Sequence, residues 1–120
     1  MEITAIANRL ILLCKERKFV AAYQELFSKD AISIDPVAGS EPVAGLKKLI
    51  DRENAFLANI ELHEIVLSDA LCSGDFFSVI ISMHFTPKNG SSRKVTELAV
   101  YKVENSKIVS QQFFIDKPAD

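Results

Sequence analysis

The 120-residue chain has two cysteines, no tryptophan, four glycines, four prolines and no strong excess of either charge. Cys14 and Cys72 lie too far apart for a Cys-x-x-Cys motif, so we expect two reduced thiols and no metal or redox site. The net charge of −2 provides no basic surface for nucleic acid or for an anionic membrane. The sequence therefore predicts a protein that needs no cofactor and binds neither nucleic acid nor membranes.

Long apolar runs are also missing. Apolar residues recur at helical spacing from residue 3 to residue 14, but Asn8 and Arg9 interrupt them. We therefore expect an amphipathic helix rather than a signal peptide or a transmembrane span, and a cytoplasmic protein. A length of 120 residues with 48% hydrophobic residues fits one domain, residues 1–120, with a single core.

In the first half of the chain, apolar residues recur at the spacing of helices. The pattern predicts helices over residues 2–16 and 19–28 and a third that begins near residue 46 and carries its apolar face to residue 57. A brief strand at 31–35 separates the second helix from the third. Ser33 and Asp35 share one side of that strand.

The second half alternates with the period of strands. From residue 60 to residue 116 it predicts four antiparallel strands. Hairpins are expected at three polar segments, Ser73-Gly74-Asp75, Asn89-Gly90 and Asn105-Ser106. Helices followed by strands indicate an α+β fold with three N-terminal helices packed on a curved, mostly antiparallel sheet.

Both faces of these strands carry apolar residues, whereas an antiparallel sheet with one solvated face alternates cleanly. One face can cover the helices. The other has no cover in the chain, and its apolar residues are Phe76, Ile80, Leu98, Val100 and Phe114. A second subunit is the simplest cover, so we expect a homodimer that packs sheet against sheet.

The stretch from residue 34 to residue 45 connects the short strand to the third helix. Asp35 precedes Pro36, which biases Asp35 toward extended geometry. Two interpretations stay open: a turn residue that caps backbone amides, or a carboxylate that projects into a pocket.

The order helix, helix, strand, Asp-Pro loop, helix and antiparallel meander resembles the nuclear transport factor 2-like superfamily, also called SnoaL-like, over essentially the whole chain. The loop is most similar to that of ketosteroid isomerases, with Ala38 as a one-residue insertion. The matching residues are Asp35-Pro36-Val37, Gly39-Ser40-Glu41-Pro42 and Gly45. The resemblance implies a cone-shaped α+β barrel that encloses an apolar pocket, and it implies a dimer.

The same resemblance implies that Asp35 is a general base that moves a proton beside a carbonyl. In ketosteroid isomerases the oxyanion is held by a Tyr and a protonated Asp, but here Leu10 (or Ile11) and Ala99 occupy those positions. One oxyanion donor is worth roughly 10²–10³ in rate. A chain without both donors is therefore expected to be a poor steroid isomerase.

Glu97 is the unusual residue of the predicted sheet, because it alternates with Ala99 and Tyr101 on the pocket face. It is a candidate second acid with Gln111 as its candidate hydrogen-bond partner. The alternative is a slip in strand phase that leaves Glu97 in solvent. Two carboxylates that share a cavity raise each other's pKa, as acid/base pairs require. Tyr101 is a weaker candidate donor, with core packing as the alternative.

Three functions fit these residues. The first is a protein that binds an apolar small molecule, with or without a carbonyl. The second is a cofactor-independent isomerase, cyclase or dehydratase with Asp35 as base, and the third is a non-catalytic dimerisation module. The candidate pocket walls are Leu10, Phe56, Phe77, Ile81, Met83, Ala99, Gln111 and Phe113. A cavity filled by phenylalanine rings would favour the third function.

Overall fold

Residues 2–35 and 41–115 are described by a computed structural model of the chain. The helices of these residues are α1 (Ile3–Lys15), α2 (Phe19–Leu26) and α3 (Leu46–Ala58). The strands are β1 (Phe27–Ile34), β2 (Val43–Ala44), β3 (Ile60–Leu67), β4 (Leu71–Ser73), β5 (Phe76–Pro87), β6 (Arg93–Glu104) and β7 (Lys107–Ile115). None of the described helices is long and apolar enough to cross a membrane.

All of the described strands belong to one sheet. The main order is β2-β1-β7-β6-β5-β3, and β4 pairs with β5. The pairing of β1 with β7 is parallel, and the other pairs are antiparallel. The three helices pack on one side of this mostly antiparallel, curved sheet, which confirms the predicted α+β fold.

The period-2 pattern of β5 separates the two faces of the sheet as predicted. Phe77 and Val79 are each 1% exposed on the inner face, which packs in one core with buried residues of α1 such as Ile6. Phe76 and Ile80, on the outer face, are 48% and 49% exposed. The inner face therefore forms the core and the outer face keeps a large apolar surface.

Two predicted boundaries are wrong. The second helix ends at Leu26, and Phe27 begins β1 because its ring packs at 4.7 Å from the Tyr23 ring and 6.3 Å from the Tyr101 ring. The strand predicted before Ser73 is divided into β3 and β4. Ser68 interrupts it, since its hydroxyl oxygen accepts a hydrogen bond of 2.8 Å from the backbone amide of Ile80.

The predicted face of β7 is also wrong at one position. The pairing of β6 with β7 shifts between Lys102 and Val103, so that Val103 lies opposite Ile108. Ile108 is fully buried and continues the inner face, whereas strict alternation with Gln111, Phe113 and Ile115 predicts Val109 there. The Asn105-Ser106 hairpin has the expected positive φ angles of 50° and 62°.

The connection between β1 and α3 ends at Gly45. Its φ of +104° favours glycine, its amide donates a 2.9 Å hydrogen bond to the carbonyl of Ala31, and its carbonyl accepts the first hydrogen bond of α3. The predictions for Pro36 to Ser40 and for Asp116 fall outside the described residues.

Candidate functional site

A cavity of about 350 Å³ lies between the helices and the inner face of the sheet. All three helices, the end of β1 and strands β3, β5, β6 and β7 contribute side chains to it. Its lining is Leu10, Cys14, Phe19, Ala22, Tyr23, Phe27, Asp35, Arg52, Glu53, Phe56, Leu57, Leu62, Ile81, Met83, Glu97, Tyr101, Gln111, Phe113 and Ile115. The cavity is thus mostly apolar and aromatic, with a small set of polar side chains.

The structure brings the three candidate catalytic residues, Asp35, Glu97 and Tyr101, to this one cavity. Six of the eight candidate wall residues also line it, namely Leu10, Phe56, Ile81, Met83, Gln111 and Phe113. Phe77 and Ala99 do not. The Phe77 ring stacks on the Tyr101 ring at 4.7 Å, and Phe77 and Ala99 are 1% and 0% exposed, whereas Tyr101 lines the cavity.

Asp35 and Arg52 form an ion pair at the edge of the cavity, with 2.6 Å between Arg52 Nη1 and Asp35 Oδ2. Arg52 Nη2 donates a second hydrogen bond, of 2.9 Å, to Ser33 Oγ. Ser33 and Asp35 project inward together because they alternate along β1 and its exit. The guanidinium therefore ties α3 to the end of β1.

Gln111 extends this network into the core. Its Nε2 donates to Tyr23 Oη at 2.9 Å and to Ser33 Oγ at 3.0 Å, and the side chain is buried. The predicted hydrogen bond from Gln111 to Glu97 is wrong. In the register of β6 and β7, Gln111 lies opposite Tyr101 and Glu97 lies opposite Ile115. Gln111 is therefore two inward-facing positions along the sheet from Glu97.

Glu97 lies in an apolar part of the cavity, between Ile81 of β5 and Ile115 of β7. No residue of the described chain donates a hydrogen bond to its carboxyl. Burial, together with the smaller effect of repulsion from Glu53 and Asp35, raises the pKa of Glu97 to about 7. Glu97 therefore changes its charge near neutral pH.

Glu53 is the third carboxyl of the cavity and projects from α3 beside Arg52. Burial raises its pKa, and the positive charge of Arg52 lowers it in part. The carboxyls of Glu53 and Glu97 have different surroundings. Only for Glu53 does a nearby cation, Arg52, lower the pKa that burial raises. Such a difference gives two carboxyls of one site different roles.

The cavity also contains two hydroxyls and a thiol that stay protonated at neutral pH. Burial raises the pKa values of Tyr23 and Cys14 to about 12 and raises that of Tyr101 well above its usual range. Tyr23 Oη accepts from Gln111, so its proton is available to another acceptor. The Tyr101 oxygen opens onto the cavity, since it makes no hydrogen bond within the described chain and no fully buried polar atom there lacks a partner.

Sequence reasoning missed Arg52, Ser33 and Tyr23 as site residues. Ser33 shared the predicted side of Asp35 and could have been included on that ground. Arg52 directly precedes Glu53 on α3, but nothing local in the sequence relates it to Asp35, 17 positions earlier. The position of Tyr23 on the predicted second helix, beside Phe19 and Phe27, favours packing over chemistry, and its contact with Gln111 spans 88 positions.

Comparison with known proteins places the chain in a family. The profile of the family described as SnoaL-like domain matches residues 1–115. The chain belongs to the SnoaL-like family. This confirms the resemblance read from the Asp-Pro loop and the order of elements. No curated protein shows a significant sequence match to this SnoaL-like chain.

Solved structures share its fold. A candidate SnoaL-like polyketide cyclase from Mesorhizobium loti is 25% identical, with a TM-score of 0.89 over 95% of this chain and 99% of that chain. A protein with a ketosteroid isomerase-like fold from Catenulispora acidiphila, in complex with trimethylamine, is 18% identical (TM-score 0.73, 91% and 83% covered). An LEH-like epoxide hydrolase from M. tuberculosis is 8% identical (TM-score 0.72, 93% and 80% covered). The last two similarities show the fold alone.

Proposed function

We propose that this SnoaL-like protein binds an apolar small molecule in its cavity and that Glu97 transfers a proton to or from the bound molecule. The observation that carries the proposal is the Glu97 carboxyl, which lies in an apolar cavity without a described hydrogen-bond donor and has a pKa of about 7. A general acid or base works best when its pKa lies near the working pH. The cavity volume, about 350 Å³, suits a small ligand of one or two rings.

Glu97 is a better base than Asp35 in this arrangement. The 2.6 Å ion pair with Arg52 occupies Asp35 Oδ2, so this oxygen is already bound to a neighbouring side chain, whereas both oxygens of Glu97 have no hydrogen-bond donor within the described chain. Asp35 instead holds Arg52 against Ser33. The alternative is that Asp35 acts as the base, and exchange rates of the Asp35→Asn and Glu97→Gln variants distinguish the two.

A proton transfer beside a carbonyl fits the groups that line the cavity. The Glu97 carboxylate would take the proton from the carbon next to the carbonyl, the electron pair of that C–H bond would form a C=C bond, and the π pair of the C=O bond would move onto the oxygen. The hydroxyl of Tyr101 or Tyr23 could donate a hydrogen bond to that oxygen, because both stay protonated. Return of the proton to another carbon would complete a cofactor-independent isomerisation.

The proposal is tested with 1-tetralone, a neutral bicyclic ketone, whose α-protons exchange with D₂O. We expect the wild-type protein to accelerate this exchange at pH 8, and Glu97→Gln to lower the accelerated rate by about 10²-fold, the effect of losing a positioned base. Asp35→Asn should retain most of the acceleration. Proton NMR of the ketone measures all three rates.

Glu64→Gln is the matched control, because Glu64 is an exposed residue of β3 outside the cavity. This variant removes one carboxylate charge, as Glu97→Gln does, and should accelerate the exchange of 1-tetralone as much as the wild-type protein. Loss of exchange in Asp35→Asn but not in Glu97→Gln would assign the base to Asp35 and contradict the proposal. No acceleration by the wild-type protein would contradict the proton-transfer role altogether.

We also propose that two copies of the chain pack outer face to outer face. Ile80, Leu98 and Phe114 lie opposite one another on β5, β6 and β7, so they form one apolar row across three strands. Ile80 and Phe114 are each 49% exposed. A cytoplasmic location is proposed as well, because both cysteines are free thiols and a reducing compartment keeps them so.

The dimer predicts that Ile80→Glu, which places a charge in the centre of the apolar row, converts a protein of twice the chain mass into one of the chain mass. Light scattering at micromolar concentration measures the mass. Leu12→Glu is the control, since Leu12 is an exposed apolar residue of α1 away from the sheet. A wild-type protein with the mass of one chain would contradict the dimer.

The third function, a dimerisation module without a site, is less well supported. Phe56 and Phe113 line the cavity without filling it, and Phe77 lies beneath its wall. Phe56 is held away from the centre by an edge-to-face contact of 5.4 Å with Phe85. An open cavity favours ligand binding over assembly alone.

A further inference from the structure

We infer that the natural ligand of the cavity carries a positive charge, held by the carboxylates of Glu53 and Glu97 among aromatic rings. This inference rests on the proposed function, because it adds a cationic group to the otherwise apolar ligand of the same cavity. It follows from the charges that line the cavity, from their partners and from the surrounding aromatic side chains.

Among the described residues, three carboxyls and one guanidinium line the cavity, namely Asp35, Glu53, Glu97 and Arg52. The other titratable groups of the described lining are Cys14, Tyr23 and Tyr101, and all three are neutral at physiological pH. Arg52 is bound to Asp35. Glu53 and Glu97 therefore have no cation of the described chain bound to them, and the lining has an excess of negative charge.

The described chain gives neither Glu53 nor Glu97 the ion-pair or hydrogen-bond partner that a carboxylate in an apolar cavity needs. Within the described chain no side chain forms an ion pair with Glu53 or Glu97, and no group there hydrogen-bonds to either one. A carboxylate in apolar surroundings without such a partner is unfavourable. A cationic group of the ligand would supply the missing partner for both carboxyls at once.

The apolar part of the lining also suits a cation. Six aromatic rings surround the cavity: Phe19, Tyr23, Phe27, Phe56, Tyr101 and Phe113. An organic cation over such rings gains about 0.5–2 kcal/mol in addition to its contact with a carboxylate. Aromatic rings beside an unpaired carboxylate recognise an alkylated or ring-bearing ammonium group better than an inorganic ion.

An anionic ligand has no equivalent partner here. Among the described lining residues the one guanidinium, that of Arg52, donates from Nη1 to Asp35 and from Nη2 to Ser33, so its charge is already paired with a carboxylate. A ligand carboxylate or phosphate could bind only to its remaining N–H groups and would be repelled by Asp35, Glu53 and Glu97. The charge of the lining therefore selects against anions as well as in favour of cations.

Two alcohols of matched shape test the inference. 4-(Trimethylammonio)benzyl alcohol carries a positive charge where 4-tert-butylbenzyl alcohol carries none, and both fit a cavity of about 350 Å³. We expect the cation to bind at least about tenfold more tightly at pH 8, where Glu97 is ionised. Isothermal titration calorimetry measures both dissociation constants.

Variants assign the preference to the two carboxyls. Glu53→Gln and Glu97→Gln should each weaken binding of the cation by about tenfold while changing that of the neutral alcohol less than about twofold. Glu64→Gln removes the same charge on the exposed face of β3 and should change neither. Both cavity variants replace a half-buried carboxyl with a neutral amide of similar size, so they are expected to fold.

Three results would overturn the inference. Equal or tighter binding of the neutral alcohol would reject the cationic ligand and leave apolar ligand binding intact. A cation preference that persists in the double variant of Glu53 and Glu97 would reject these two residues as its source. Binding of neither alcohol would reject the cationic ligand, and the exchange of 1-tetralone would then decide separately whether the cavity acts on a neutral molecule.

Discussion

Replacing Glu97 by Gln is expected to raise the free energy of unfolding by about 3 kcal/mol at pH 8 and to change it little at pH 4. The pKa of Glu97 is about 7 in the folded protein, against an ordinary value of 4.5. A difference of this size corresponds to about 3 kcal/mol, at about 1.4 kcal/mol for each pKa unit. The wild-type protein has to ionise a carboxyl in an apolar cavity at high pH, and the variant does not.

The sign follows from proton binding. Between pH 4.5 and pH 7 the folded state keeps the proton of Glu97 while the unfolded state loses it, so this residue makes stability fall as pH rises. Below pH 4.5 both states are protonated and the residue contributes no difference. The stabilising effect of Glu97→Gln should therefore grow from pH 4.5 to about pH 7 and then level off.

Urea unfolding of the wild-type protein and of Glu97→Gln at pH 4, 6 and 8 measures this effect. Glu64→Gln is again the control and should show no pH-dependent gain, because Glu64 is exposed. A variant that is no more stable than the wild-type protein at pH 8 would show that the Glu97 carboxylate is well solvated or well paired. Glu97 would then lack the raised pKa on which the proposed proton-transfer site depends.

Gln111→Ala is expected to lower the free energy of unfolding by about 3 kcal/mol. The substitution removes the hydrogen bonds to Tyr23 and Ser33 and leaves space in the core. Each lost hydrogen bond costs about 1 kcal/mol, and an unfilled space in the core adds to that. The loss should also loosen the Arg52–Ser33 contact, since Ser33 Oγ accepts from both side chains.

Gln112→Ala is the matched control, because Gln112 is the next residue of β7 and projects to the opposite face, across from Val100. It should cost less than about 1 kcal/mol, as most surface substitutions do. Gln111→Leu separates the two causes, since it restores the volume without the hydrogen bonds. Wild-type stability of Gln111→Leu would mean that the network adds nothing to the fold, contrary to the prediction.

The fold was predictable because local pattern and tertiary structure agree along most of the chain. Strict alternation from Phe77 to Phe85 predicted the buried face of β5, and helical spacing predicted α1. The errors lie where tertiary contacts override local preference. Phe27 leaves the helical pattern to pack on Tyr101, and a bulge that no local motif marks turns Ile108 inward.

The candidate site was predictable only in part. Glu97 could be assigned to the cavity because a charged residue on an apolar, alternating face is rare in a strand. The surroundings of Glu97 could not be predicted, because its apolar neighbours Ile81 and Ile115 belong to other strands. The pairing of Asp35 with Arg52 depends on the rotation of α3 about its axis, which the sequence of the helix does not fix.

The pH dependence of 1-tetralone exchange by the wild-type protein tests the central claim most directly, namely that Glu97 transfers protons in the cavity. Exchange requires the ionised base, so the rate should rise with pH, with a midpoint near 7, the pKa of Glu97, and level off above it. Glu97→Gln should remove this rise. A rate that has reached its plateau by pH 5.5, or the same midpoint in Glu97→Gln, would contradict the account.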